Sequence, residues 1–237
     1  MRFLVYCCLF LFLFNCEDTN SKKNNTTKPP VEKSTENKSK TDTNKAPVKD
    51  EREFPVLTDD NAMEFFLHYE KENKENKIRM TTSKGIIEIL LFNETKFHRA
   101  NFIFLTKQNY FTNTQFYRVV KNFIIQGGST DDEDIAQRRV KIGKYLLPTD
   151  QNRGFTHERG VISMPSSEIE NPHKLASPYE FFIVQAPHGA HHLDGSYTIF
   201  GKVTRGMDVV DAISEVETDN REWPLQNVYI EKVEIIN

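Results

Sequence analysis

The chain has 237 residues, 27% of them charged, and a formal net charge of −3; that length suffices for one medium domain or two small ones with a buried core. Near-neutral charge, with no Lys/Arg-dense block interleaved with aromatics, argues against a nucleic-acid binder, and a mean hydropathy of −0.59 excludes a multi-span membrane protein. All three cysteines (Cys7, Cys8, Cys16) fall in the first 16 residues, so the body holds no disulfide framework, cysteine zinc site, redox CxxC or cysteine nucleophile.

Residues 1–15 read as a signal peptide: Arg2, then the apolar run from Phe3 to Phe14, then Asn15. About 12 apolar residues fit a secretory signal, whereas a spanning helix needs roughly 20. Leu13-Phe14-Asn15-Cys16 resembles a bacterial lipoprotein lipobox, which implies lipidation at Cys16, a membrane partner through that anchor and a place in the bacterial cell envelope. Phe14 and Asn15 depart from the usual small residues, and an ordinary cleaved signal or a short uncleaved anchor is the alternative. Residues 16–50 follow as the lipidated cysteine and a tether, with eight Lys, six acids and little that is apolar. Such a segment cannot bury enough surface to offset chain entropy, and as a coil it reaches roughly 30–35 Å. Contact of its lysines with anionic lipid is the other reading.

Residues 51–76 read as a helical extension. The pattern predicts a helix from Asp59 to Lys71, capped by Thr58, with Met63, Phe66, Leu67 and Tyr69 on one face. From 77 to 237 short strands dominate: Ile78–Thr82 and Ile86–Phe92 around a Ser83-Lys84-Gly85 turn, then Gln115–Val120, Phe123–Gln126, Gly160–Met164, Phe181–Gln185, Thr198–Val203 and Val228–Ile236. Helices are predicted over Thr95–Gln108 and Met207–Ser214. Many strands and two helices in about 160 residues suggest a closed antiparallel barrel with helices over its ends. The acidic run Asp131–Asp134, followed by Arg138, Arg139 and Lys141, reads as a solvated, self-neutralising loop, because it lacks the spacing of a calcium loop. His188, His191 and His192 read as a loop near a pocket mouth and not as a zinc site. None of the other histidines is expected to form a triad with Ser163.

Four ordered motifs carry a family resemblance. Phe116-Tyr117-Arg118-Val119 followed by Phe123-Ile124-Ile125-Gln126-Gly127-Gly128 resembles the signature of cyclophilin-type peptidyl-prolyl isomerases. So do Gly160-Val161-Ile162-Ser163-Met164, Glu180-Phe181-Phe182-Ile183, and Leu193 to Val203 with its Leu-Asp-Gly start and Phe-Gly-Lys-Val end. The resemblance implies a mainly β fold, a closed eight-stranded antiparallel barrel capped by two helices, here with an extra N-terminal helix. It implies isomerisation of X–Pro bonds in proline-containing polypeptides, with no cofactor and no metal; charge already argues against a nucleic-acid partner, and nothing in the sequence demands more than a monomer. That reaction needs no nucleophile: the barrier of roughly 18–20 kcal/mol is amide resonance, and a pocket that binds the twisted imide more tightly than the planar one lowers it.

By the same resemblance Arg118 is the donor to the imide nitrogen, Phe123 and Gln126 complete the catalytic set, and Gln126 holds both substrate backbone and Arg118. Ile124, Pro165, Ser166, Glu180, Phe182, His192, Leu193 and Tyr197 would bind substrate. Pro165-Ser166 stand where relatives have Ala-Asn, Glu180 where they have Gln, and His192 where eukaryotic relatives often have Trp. Glu180 is expected to pair with Arg118 and compete with its catalytic role. A second reading follows from these departures: a module of low activity that holds proline-containing segments of an envelope partner.

Overall fold

The computed structural model describes residues 53–166 and 171–237; the leader, Cys16 and the tether lie outside the described residues. In chain order the elements are β1 (Leu57–Thr58), α1 (Ala62–Glu72), β2 (Lys77–Thr82), β3 (Gly85–Leu91), α2 (Lys96–Lys107), β4 (Thr114–Val120) and β5 (Ile124–Ser129). After these come α3 (Glu133–Ile142), β6 (Gly143–Lys144), β7 (Val161–Met164), β8 (Phe181–Val184), β9 (Thr198–Arg205), α4 (Met207–Ser214) and β10 (Val228–Ile235).

Eight of the strands close into a barrel in the order β10-β2-β3-β9-β7-β8-β5-β4, every pairing antiparallel. All eight predicted strands are present, seven of them within two residues of their expected ends, while β5 runs to Ser129, three residues past the predicted Gln126. Alternation explains why the wall can do two jobs. Directly opposed residues share a face, and successive residues point to opposite faces. Val119, Ile125, Ile183 and Ile162 form one row across β4, β5, β8 and β7, and it belongs to the large interior core. The next row, Arg118, Gln126, Phe182 and Ser163, faces the outside of the barrel. An eight-stranded barrel is just wide enough to be filled by its own side chains. The functional surface must therefore be built on the outer face, where a second apolar cluster holds Ile124, Phe182, Val184 and Ile199.

The hairpin between β2 and β3 is tighter than expected. Thr82 opposes Gly85, so only Ser83 and Lys84 turn, and the Thr82 hydroxyl donates to the Gly85 carbonyl at 2.8 Å while accepting from Lys84 N–H. Helix α2 is buried on almost every side, including His98, Arg99 and Asn101. A helix covered all round needs a second layer, and α1 supplies it. Phe54, Phe65, Phe66 and Tyr69 surround Phe104 with ring centroids 4.9–5.9 Å away.

Three expectations need correction here. Thr58 does not cap α1: it lies in β1, and Asn61 occupies the cap position with its side chain turned back, accepting from Thr58 N–H and donating to the Val56 carbonyl. On α1, Phe65 takes the packing role predicted for Leu67, which is exposed. The acidic run is not a self-neutralising loop. Asp132 caps α3 by accepting from Asp134 and Ile135 N–H, and Glu133 and Asp134 sit in its first turn, where the helix dipole favours negative charge. The basic residues go elsewhere: Arg138 donates to the carbonyls of Asn109 and Thr112, and Arg139 lies over the Tyr179 ring.

The extension and α3 are joined by a short parallel pairing, Leu57 with Gly143 and Thr58 with Lys144. Gly143 has φ +133°, and a Cβ there would stand 1.9 Å from the Leu57 carbonyl oxygen, so only glycine allows this contact.

Candidate active site

On the outer face of β4, β5 and β8 lies a cavity of about 420 Å³, lined by Arg118, Phe123, Ile124, Gln126, Pro165, Ser166, Phe182, Leu193 and Tyr197. Nine of the eleven residues predicted to act on or bind substrate thus converge on one hollow. The β4–β5 turn supplies Phe123: Asn122 adopts φ +59°, Phe123 N–H donates to the Val120 carbonyl, and the Phe123 carbonyl accepts from Gln185 and Ala186. Phe182 stands on β8, with Tyr197 edge-on at 5.8 Å between ring centroids. A turn of 3₁₀ helix over His191–Leu193 presents Leu193. The floor is apolar and the Arg118–Gln126 side is polar, which suits a ring flanked by amides.

The remaining two predicted residues do not line this hollow. His192 stacks on Phe123, with centroids 5.2 Å apart, and extends its apolar edge. Glu180 lines a separate cleft of about 230 Å³ with Asp59, Arg139, Lys144 and Tyr145. It makes no ion pair with Arg118, contrary to expectation. Burial above all, with the Glu180 charge as a second cause, holds the Tyr117 hydroxyl above its ordinary pKa.

Arg118 has a different partner. Its Nε donates to Glu222 Oε2 at 2.6 Å, across 104 positions of sequence. Gln126, predicted to hold Arg118, instead directs its amide to the Tyr117 hydroxyl. The Tyr117 ring in turn packs beside Trp223. Pro165 has no N–H, but its carbonyl is engaged by Ser177 N–H, and the Ser166 hydroxyl accepts from the Asn171 amide. The chain after β7 is thereby held although the usual Ala-Asn is missing.

Behind Phe182 lies a constellation that was not expected. His157 Nδ1 is 2.8 Å from Asp194 Oδ1, and its Nε2 is 3.1 Å from Ser163 Oγ. Residues 157, 163 and 194 thus form a serine–histidine–aspartate arrangement. It cannot attack a substrate, because Ser163 is fully buried and its hydroxyl donates to the Thr198 carbonyl. The imidazole stacks against Phe182 at 5.9 Å and nearly parallel, so the cluster buttresses the cavity floor from behind. Burial pushes the His157 pKa down, with Asp194 opposing. Asp194 stays low despite burial, since the His157 backbone N–H and ring and the His191 ring stabilise its charge. Among the described residues no group of three His, Cys, Asp or Glu side chains is placed to hold a metal ion.

Residues 77–235 match the family model for cyclophilin type peptidyl-prolyl cis-trans isomerase. The chain belongs to the cyclophilin family. It is a cyclophilin-type peptidyl-prolyl cis-trans isomerase by that membership. A peptidyl-prolyl cis-trans isomerase of Acinetobacter baylyi is 34% identical over 164 residues, covering 68% of this chain and 82% of the relative. One of Arabidopsis thaliana, CYP18-2, is 30% identical over 168 residues, 70% of this chain and 97% of the relative. The chain spans only 30% of a longer relative, the isomerase-like 2 protein of Rhizopus delemar. Among solved structures a Cryptosporidium parvum cyclophilin superposes with a TM-score of 0.58 at 25% identity, over 69% of this chain and 98% of that one. The closed eight-stranded barrel, with four α-helices among the described residues, matches the fold of that cyclophilin.

Glu222, Trp223, His157 and Asp194 are the site-forming residues that sequence reasoning missed. Asp194 and His157 were visible as residue types, but nothing in their spacing shows that they meet. Glu222 lies outside every motif, and no local signal connects it to Arg118.

Proposed function

We propose that this cyclophilin isomerises X–Pro bonds of exported proteins at a bacterial envelope membrane, assisting their folding, with Arg118 as the group that acts on the imide nitrogen. The observation that carries the reading is the single cavity in which the Arg118 guanidinium meets an apolar floor of Phe123, Ile124, Phe182 and Leu193. The proline ring occupies that floor, Gln126 and Ser166 face the flanking amides, and Arg118 favours the pyramidal nitrogen of the twisted state. The Cryptosporidium parvum cyclophilin has also been crystallised in the presence of the dipeptide Ala-Pro, which supports a proline-containing peptide as the occupant here. Envelope location rests on the leader and Cys16, and the bound clients are accordingly exported chains.

A protease-coupled prolyl-peptide assay on the full chain tests the chemistry. Wild type accelerates isomerisation, and Arg118→Ala loses on the order of 100-fold in kcat/KM, as removal of one transition-state donor does elsewhere. Absence of acceleration by wild type supports the binding-module reading instead. Fatty-acid labelling in a bacterial host, compared with Cys16→Ser, tests the anchor; equal labelling of both refutes it.

A further inference from the structure

We propose that Glu222 is the positioning residue of Arg118, and that the loop from Glu217 to Leu225 exists on this face to hold that carboxylate in place. The proposal rests on the reading of Arg118 as the imide donor. An arginine side chain has several freely rotating bonds, and a donor left to wander is a poor one. Among the described residues Glu222 is the only hydrogen-bond partner of the Arg118 guanidinium. The bond uses Nε, so the four N–H donors of the two terminal nitrogens remain for the cavity that Arg118 lines. Gln126, the residue opposite on β5, is committed to Tyr117 and leaves this task undone.

The loop is built for the purpose. Strand β10 pairs with β4 only from Thr114 to Phe116, so the outer edge of β4 beyond Phe116 lacks a neighbour. Glu222 takes that place, its carbonyl accepting from Val119 N–H at 2.8 Å, one residue from Arg118. Its own N–H donates to the Asp219 carbonyl. The Asp219 carboxylate accepts from Arg221 and Trp223 N–H, and Leu225 N–H donates to the Glu217 carbonyl. Trp223 packs beside Tyr117, the neighbour of Arg118 on the other side. Glu222 adopts φ +66°, a left-handed conformation unfavourable for a side chain of this kind, and the surrounding bonds hold it there.

Stability does not account for this arrangement. Both partners of the pair are substantially exposed, at 35% and 42%, and such pairs contribute little to folding. The opposite role, a carboxylate that competes with substrate for Arg118, predicts the opposite sign when it is removed. With Nε held and the terminal nitrogens left to the cavity, positioning is the role the geometry favours.

The test compares wild type, Glu222→Ala, Glu222→Gln, Arg118→Ala and the Arg118→Ala/Glu222→Ala double variant, as full chains, in a prolyl-peptide isomerisation assay. Glu222→Ala is expected to lose on the order of tenfold in kcat with KM within about twofold. Glu222→Gln, whose carbonyl oxygen still accepts from Nε, is expected to recover most of that loss. In the Arg118→Ala background the Glu222→Ala change is expected to do nothing further, because it acts only through Arg118. Unchanged or raised kcat in Glu222→Ala overturns the proposal, and so does an equal fold-loss with and without Arg118. Wild-type kcat in Arg118→Ala overturns the donor assignment itself, a result readable without any Glu222 variant.

Discussion

Lowering the pH should destabilise this domain, in part through one histidine on α2. His98 is 1% exposed, and neither ring nitrogen has a hydrogen-bond partner. Burial drives its pKa from 6.5 down to about 4, with Asp150 opposing weakly. The folded protein therefore keeps His98 neutral, while the unfolded chain takes up a proton near pH 6.5. Stability is fully present above that value and is lost as pH falls toward the folded pKa. The linkage relation gives a loss of about 2 kcal/mol by pH 5 and about 3 kcal/mol by pH 4, relative to neutral pH. Other groups titrate in the same window, His157 among them and in the same direction, so the quantity to measure is a difference. Urea denaturation of wild type and His98→Leu from pH 7.5 to pH 4 provides it. The two stability curves should run about 3 kcal/mol closer in favour of the variant at the acid end. Parallel curves across the whole range refute the reasoning, because they mean that His98 is not held neutral by its surroundings.

Two further outcomes follow from buried contacts. Arg99 donates to the Asn73 and Glu75 carbonyls at 2.9 and 3.1 Å and lies 3.5 Å from Glu70, closing the C-terminal end of α1 onto α2. Arg99→Met, which keeps the stem but strands those acceptors, should cost about 2–3 kcal/mol, or roughly 5–10 °C of thermal midpoint; Arg99→Lys should not rescue it, since an ammonium cannot span the same partners. Gly128 has φ +99°, and a Cβ there would stand 2.4 Å from the Tyr179 carbonyl oxygen. Gly128→Ala should therefore destabilise by at least about 2 kcal/mol in urea melts, and an unchanged midpoint would remove the steric argument.

Two of the contacts expected from the departures from family pattern are absent or replaced in the structure. Glu180 was the residue most expected to quench Arg118. Its position at the start of β8 instead points its influence to Tyr117 and a neighbouring cleft. The residue that does hold Arg118 carries the same charge but approaches from the opposite edge of β4, where it engages Nε. Pro165 gives up an N–H, yet its carbonyl keeps the loop closed through Ser177.

Strand periodicity and the Ser83-Lys84-Gly85 turn indicated a barrel from sequence alone, and the resemblance of the ordered motifs to the cyclophilin signature supplied the family and the nine cavity residues. The first are local signals: alternation of period two sets which face each residue takes, and residues close in sequence on paired strands stay close in space. Tertiary structure alone decided the rest. Glu222 with Arg118, His157 with Ser163 and Asp194, and Arg99 with the end of α1 are contacts between segments whose spacing carries no pattern. An acidic run reads identically as a loop or as a helix start until a capping geometry, here Asp132 with Asp134 and Ile135 N–H, selects one. A carboxylate's partner depends on which strand edge it approaches, and that depends on where β10 stops pairing with β4. Sequence named the residues at the cavity; only the closed barrel decided which of them hold one another in place.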